Sequence, residues 1–159
     1  MPEGETLILN VAKPIEVLDS SLDVNGNVNI TTDLNSRGAS GRFREEGDSI
    51  ISDSNVIPSS VHAENSEVTI HGDLEATGKT PSALMASESS TVLVEGNVTA
   101  NGNIPTGVIA VGESEVQITG DVINNNENGT GIEVSDKSEV IIGGNINTEN
   151  GTAIIANGE

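Results

Sequence analysis

The chain has 159 residues, with 25 Asp and Glu against 6 Lys and Arg, and a formal net charge of −19. That balance argues against nucleic acid, whose phosphates are bound by Lys and Arg, and against anionic membrane surfaces. The absence of Cys excludes disulfides and thiolate metal sites, and no run of about 18 apolar residues offers a membrane-spanning helix.

Such acidity with a single aromatic, Phe43, is ordinarily the mark of a disordered chain. The apolar residues overrule that reading, because they alternate as in half-buried strands and are β-branched or Leu. The length fits one domain, residues 1–159, with 1–13 as an N-terminal strand or cap and 14–159 as repeats. Met1–Val11 lacks the basic start and long apolar core of a signal peptide. Leu7-Ile8-Leu9-Asn10-Val11 reads as a first strand or a cap. Ile15-Glu16-Val17 reads as the last strand of one coil, and Ser20–Val28 as the first half of the next. An insertion of roughly a dozen residues beyond a normal coil occupies 31–58. It holds every Arg (Arg37, Arg42 and Arg44) and the only Phe. Val61-His62-Ala63 then resumes the pattern as a third strand.

From Ser66 the pattern is regular. Ser66, Ser90, Ser114 and Ser138 are each 24 residues apart, as are Gly72, Gly96, Gly120 and Gly144. Val68/Val92/Val116/Val140, Ile70/Val94/Ile118/Ile142 and Leu74/Val98/Val122/Ile146 keep the same spacing. A period in the twenties means a solenoid, in which no single repeat buries its apolar face alone. In the third repeat, Val116 and Ile118 are expected inward on one strand. Gly120-Asp121 makes a corner, Val122 begins a second strand, and Asn124–Gly129 is a polar loop. Ile132 and Val134 point inward on a third strand, and Ser135-Asp136-Lys137 turns back. The other third strands carry Leu84/Ala86, Val108/Ala110 and Ile154/Ala156. The last loop is shorter by two, since Ile154 stands 22 residues after Ile132. About five and a half coils at a strand spacing of about 4.8 Å give a stack roughly 25 Å long.

The 24-residue coil, its three strands and an Asx residue after Gly at one corner of every coil together resemble the right-handed parallel β-helix of the pectate-lyase type. The corner residues are Asn27, Asp73, Asn97, Asp121 and Asn145. Glycine there is expected to supply positive φ, and stacked Asx side chains to form a hydrogen-bonded ladder. The expected fold is therefore all-β, a right-handed parallel β-helix solenoid over Ile15–Glu159. The resemblance implies two uses of the fold: polysaccharide lyases and glycosidases, or non-catalytic adhesin and surface-protein stalks, as in bacterial surface proteins. The enzymes carry sugar-stacking aromatics and clustered charges on one face, and this chain has no Trp and no Tyr.

Three regions are candidate sites. The outward positions of the third strands, His62, Met85, Ile109, Glu133 and Ile155, form a mostly apolar stripe without paired carboxylates for acid–base work. It reads either as a lateral contact for another chain or as surface covered by the insertion. The insertion carries the basic-aromatic cluster Arg37, Arg42, Phe43 and Arg44. It reads as a balancing loop or as a binding loop for an acidic glycan or protein. A catalytic set of Arg42, Asp48, Asp53 and His62 has no motif behind it. The third region is an acidic ridge of Glu67, Glu115 and Glu139, with Glu64, Glu88, Glu113 and Asp136 in the adjacent turn and Lys137 as the sole counter-charge. It reads as solvated charge that discourages association, with weak Ca²⁺ binding as its only ionic option. No cofactor is expected. His71 reads as an isolated surface residue, and the sequons at Asn29, Asn97, Asn128 and Asn150 as chance.

The leading expectation is a non-catalytic structural or adhesive module of a bacterial surface or secreted protein. It would be extracellular, with any signal peptide outside this chain. The alternative is a carbohydrate-active β-helix, either a polysaccharide-binding domain or a fragment of a lyase or glycoside hydrolase. Protein or glycan partners are expected. So is either end-to-end self-association or further coils in a parent chain, because the final coil has no cap.

Overall fold

The structure is a computed structural model that describes residues 9–11, 14–31, 41–43 and 59–158. Among these residues it is all-β, with three parallel sheets and no helix. β1 (Leu9–Val11) and β2 (Ile15–Leu18) precede the first full turn. That turn holds β3 (Ser21–Val24) and β4 (Val28–Thr31) and, after β5 (Gly41–Phe43), closes with β6 (Val61–Glu64). Four uninterrupted coils follow. They are β7 (Glu67–Ile70), β8 (Leu74–Gly78) and β9 (Ser82–Ser87); β10 (Thr91–Val94), β11 (Val98–Gly102) and β12 (Thr106–Ala110); β13 (Glu115–Ile118), β14 (Val122–Asn124) and β15 (Thr130–Ser135); and β16 (Glu139–Ile142), β17 (Ile146–Thr148) and β18 (Thr152–Asn157).

Each coil gives one strand to each sheet. The five-stranded sheet runs β16-β13-β10-β7-β3, the six-stranded β1-β4-β8-β11-β14-β17, and the seven-stranded β18-β15-β12-β9-β6-β2-β5. The register follows the sequence period: Val92 pairs with Val68 and Val116, and Val122 with Val98 and Ile146. The shorter last loop is accommodated, since Ile132 pairs with Ile154.

The interior is a set of aliphatic columns. Val68, Leu74, Leu84, Val94, Val98, Val108, Val116, Ile118 and Val122 are all fully buried. Full burial of such a side chain contributes about 1.5–3 kcal/mol. Alternation along each strand is what allows this, because every second side chain enters the narrow interior. Small residues such as Ala63, Ala76, Ala86, Ala100 and Ala110, also fully buried, fill the tighter places. An aromatic ring has no comparable space, which accounts for the composition.

Apart from Glu16 within β2, the buried polar side chains sit at corners or strand ends. Ser60 Oγ lies 2.8 Å from Thr80 Oγ1, and Ser82 Oγ donates to Ser59 Oγ at 2.6 Å. Asn124, expected in a polar loop, is instead the last residue of β14 and 1% exposed. Its Nδ2 donates to the carbonyls of Pro105 and Thr130, and its Oδ1 accepts the Asn126 N–H. Among the described residues no buried side-chain polar atom lacks a partner.

Candidate functional site

The outer face of the seven-stranded sheet places the expected stripe in one line. Glu16 pairs with His62, His62 with Met85, Met85 with Ile109, Ile109 with Glu133, and Glu133 with Ile155. His62 to Ile155 are half-buried, and Glu16, which the sequence reading left out of the line, is only 4% exposed. The 46-residue offset that aligns Val61 with Ile15 was the signal that could have found it. His62 Nε2 lies 2.9 Å from Ser87 Oγ on the neighbouring strand. The line holds two carboxylates, on β2 and β15, with three strands between them. Strand spacing sets these on the order of 19 Å apart, far beyond the 6.5–9.5 Å range over which two carboxyl groups flank a glycosidic bond.

Two side-chain ladders run along the corners. In the first, the Asp73 N–H donates to Asn27 Oδ1 at 2.9 Å, Asn97 N–H to Asp73 Oδ1 at 2.7 Å, Asp121 N–H to Asn97 Oδ1 at 2.8 Å, and Asn145 N–H to Asp121 Oδ1 at 2.6 Å. Asn and Asp alternate, so no two carboxylates are neighbours. Of the preceding glycines only Gly26 has the expected positive φ, 146°; the others serve another purpose. Gly96 has no positive φ; a Cβ there would lie 2.6 Å from the Gly72 carbonyl oxygen of the coil before. The column is glycine because the coils approach closely. In the second ladder the direction reverses: the N–H groups of Ser20, Ser66, Ser90 and Ser114 donate to Oγ of Ser66, Ser90, Ser114 and Ser138, at 3.0–3.2 Å. The serine column was visible in the sequence, but its role was not.

The acidic ridge is less continuous than its sequence suggests. Glu115 and Glu139 pair directly, but Thr91 separates Glu115 from Glu67. Glu88, Glu113 and Asp136 occupy positive-φ corner positions, and Lys137 Nζ is 3.7 Å from Glu113 Oε1. Among the described residues no group of three or more His, Asp or Glu has an arrangement that holds a metal ion.

His71 does not stand alone. Its Nδ1 is 2.8 Å from Glu95 Oε2 and its Nε2 is 3.2 Å from Asp23 Oδ1. The hydrogen bond with Glu95 raises its pKa above the ordinary 6.5, the two carboxylate charges add to this, and partial desolvation opposes it.

Of the insertion, Gly41–Phe43 forms β5, which adds to the sheet edge beyond β2. This segment therefore extends the sheet at its N-terminal end and does not cover Met85 and Ile109. Arg42 and Phe43 lie in β5, whereas Arg37, Arg44, Asp48 and Asp53 lie outside the described residues. So do Leu7 and Ile8 of the expected N-terminal strand; Leu9–Val11 pairs with β4 at the edge of the six-stranded sheet.

At the other end, β16, β17 and β18 are edge strands. Val140, Ile142 and Ile146 are only half-buried and Ile154 is 53% exposed. With Ile132 and Val134 they line an open concavity of about 640 Å³. Compared with protein families, curated proteins and solved structures, the chain matches none.

Proposed function

We propose that the protein is a non-catalytic structural or adhesive module, a rigid spacer of a bacterial surface or secreted protein. It meets a protein or glycan partner on the outer face of the seven-stranded sheet. The observation that carries this reading is the line His62, Met85, Ile109, Glu133 and Ile155, held in register on five consecutive strands of one parallel sheet. Such a line is a rigid, partly apolar strip of the kind that marks contact surfaces. The resemblance to pectate-lyase-type coils supports a stalk over an enzyme, because the sugar-stacking aromatics are missing and the two carboxylates of the line stand too far apart. At the C-terminal end, three bare strand edges around an apolar interior match the geometry of another solenoid coil, which we take as the partner there.

The test is a binding panel of immobilised extracellular-matrix proteins and acidic polysaccharides, run with the wild type and a Met85→Glu/Ile109→Glu variant. Binding that falls at least about tenfold, with an unchanged melting temperature, supports the lateral site. A tenfold loss corresponds to about 1.4 kcal/mol. New reducing or unsaturated ends on any polysaccharide would replace the structural reading with the carbohydrate-active one.

A further inference from the structure

The imidazole of His71 is held between two carboxylates, with Glu95 at one ring nitrogen and Asp23 at the other. A neutral imidazole has one N–H and one lone pair. It can donate to one of these carboxylates and must then turn its lone pair on the other. Both contacts are attractive together only when both nitrogens carry protons. The arrangement is therefore that of an imidazolium, whichever tautomer the neutral ring prefers.

The three residues lie on three successive coils. Asp23 is on β3, His71 follows β7, and Glu95 follows β10. β3 is a four-residue strand at the end of its sheet. Beyond the first turn, β1 extends one neighbouring sheet and β5 the other; among the described residues nothing extends the sheet of β3. Moreover, Asp23 precedes the 32–58 segment, whereas His71 and Glu95 follow it. The pair of contacts thus joins an edge strand to coils that follow that segment in the sequence.

We propose that Asp23, His71 and Glu95 form a proton-operated clasp, which holds β3 on the stack at mildly acidic pH and loosens it at alkaline pH. Among the described residues the titratable groups facing the imidazole are those two carboxylates. The stacked corner positions on the first and fourth coils, Asn25 and Thr119, are uncharged, and Asp73 is turned into the Asx ladder. A group whose pKa is raised by folding contributes stability that is complete below its unfolded value. That contribution is lost as pH rises through the folded value, which here lies above 6.5.

The experiment is hydrogen exchange on the full chain, comparing the amides of Ser21–Val24 with those of Glu115–Ile118 after correction for intrinsic rates. NMR titration of both histidines accompanies it, with His71→Gln assigning the signals. Between about pH 5.5 and pH 8.5 the relative protection of β3 in the wild type falls about two- to fivefold, the size that exposed ion pairs support. In His71→Gln it is flat at the lower value. His62 remains in both proteins and cancels. Asp23→Asn, at a side chain 69% exposed, repeats the comparison should His71→Gln fold poorly. A flat wild-type profile, a variant that tracks the wild type, or a His71 titration at or below pH 6.5 would each overturn the clasp.

Discussion

Val116 and Gln117 are neighbours in the chain and face opposite ways in the fold: Val116 is fully buried between two coils and Gln117 is exposed. Val116→Asp would bury a carboxylate with no partner, at a cost of several kcal/mol, about 3 or more. Gln117→Asp should cost less than about 0.5 kcal/mol. Thermal melts of the two variants check this, and equal losses would contradict the assigned alternation. Gly96→Ala should cost about 1–3 kcal/mol, because its new methyl meets the backbone of the coil before it and backbone cannot yield as a side chain can. The Asx ladder gives a charge-dependent case. Asn97→Asp would set carboxylates in three consecutive coils and remove the Nδ2–H that reaches Asp73 Oδ1 at 3.1 Å. A loss of about 1–2 kcal/mol is expected, smaller in high salt, whereas Asp73→Asn should be near neutral. At this scale the columns were legible in the sequence because identical residues recur at one spacing. What each column does was less so. The corner glycines looked like positive-φ residues, which holds at Gly26 alone; for Gly72, Gly96, Gly120 and Gly144 only the distance between coils shows that they are there for close approach. The serines keep their period, but a spacing does not reveal which atom donates.

Elements with a period were legible and those without one were not. Three strands per coil follow from alternation broken by Gly-Asx corners, and the register follows from the 24-residue repeat. β5 has no counterpart in the repeat, so nothing in the 31–58 composition marks Gly41–Phe43 as an edge strand. The surroundings of His71 were half-legible. Glu95 stands 24 residues on, one coil away by the repeat alone, whereas Asp23 falls beside it only once the insertion is counted out. The acidic ridge erred in the other direction, because stacking Glu67 directly under Glu115 overlooked Thr91 between them. What remains is the adjacent pair Glu115 and Glu139. Ca²⁺ takes six to eight oxygen ligands, far more than two side chains on one flat sheet supply. Millimolar Ca²⁺ and Mg²⁺ at matched ionic strength should therefore shift the melting temperature equally, by general screening. A Ca²⁺-specific rise of several degrees that disappears in Glu115→Gln/Glu139→Gln would show a bound ion.

Among the described residues the two ends of the stack differ. At the N-terminal end β1 and β5 add strands to two of the three sheets. At the C-terminal end all three sheets stop at bare edges around Val140, Ile142, Ile146 and the exposed Ile154. The N-terminal end is thus stepped, with the sheet of β3 one strand shorter than one neighbour and two shorter than the other, while the three C-terminal edges belong to the same coil. The last coil from Ser138 to Gly158 carries two acidic residues, Glu139 and Glu149, and no Lys or Arg. An isologous contact here would pair strand edges and cover apolar side chains, and a coil of this size approaches the 20–30 residues per side of a standard interface. Light scattering over a concentration range should show the mass rising toward a dimer. The rise should steepen with added salt, which screens the flanks and leaves apolar contact intact. Ile142→Lys/Ile146→Lys should keep the protein monomeric at every concentration, because each copy would bring two unpaired ammonium groups to the contact. A wild type that stays monomeric in high salt would exclude pairing of two copies through this coil. Association that weakens with salt would mean a contact between opposite charges and not this apolar end.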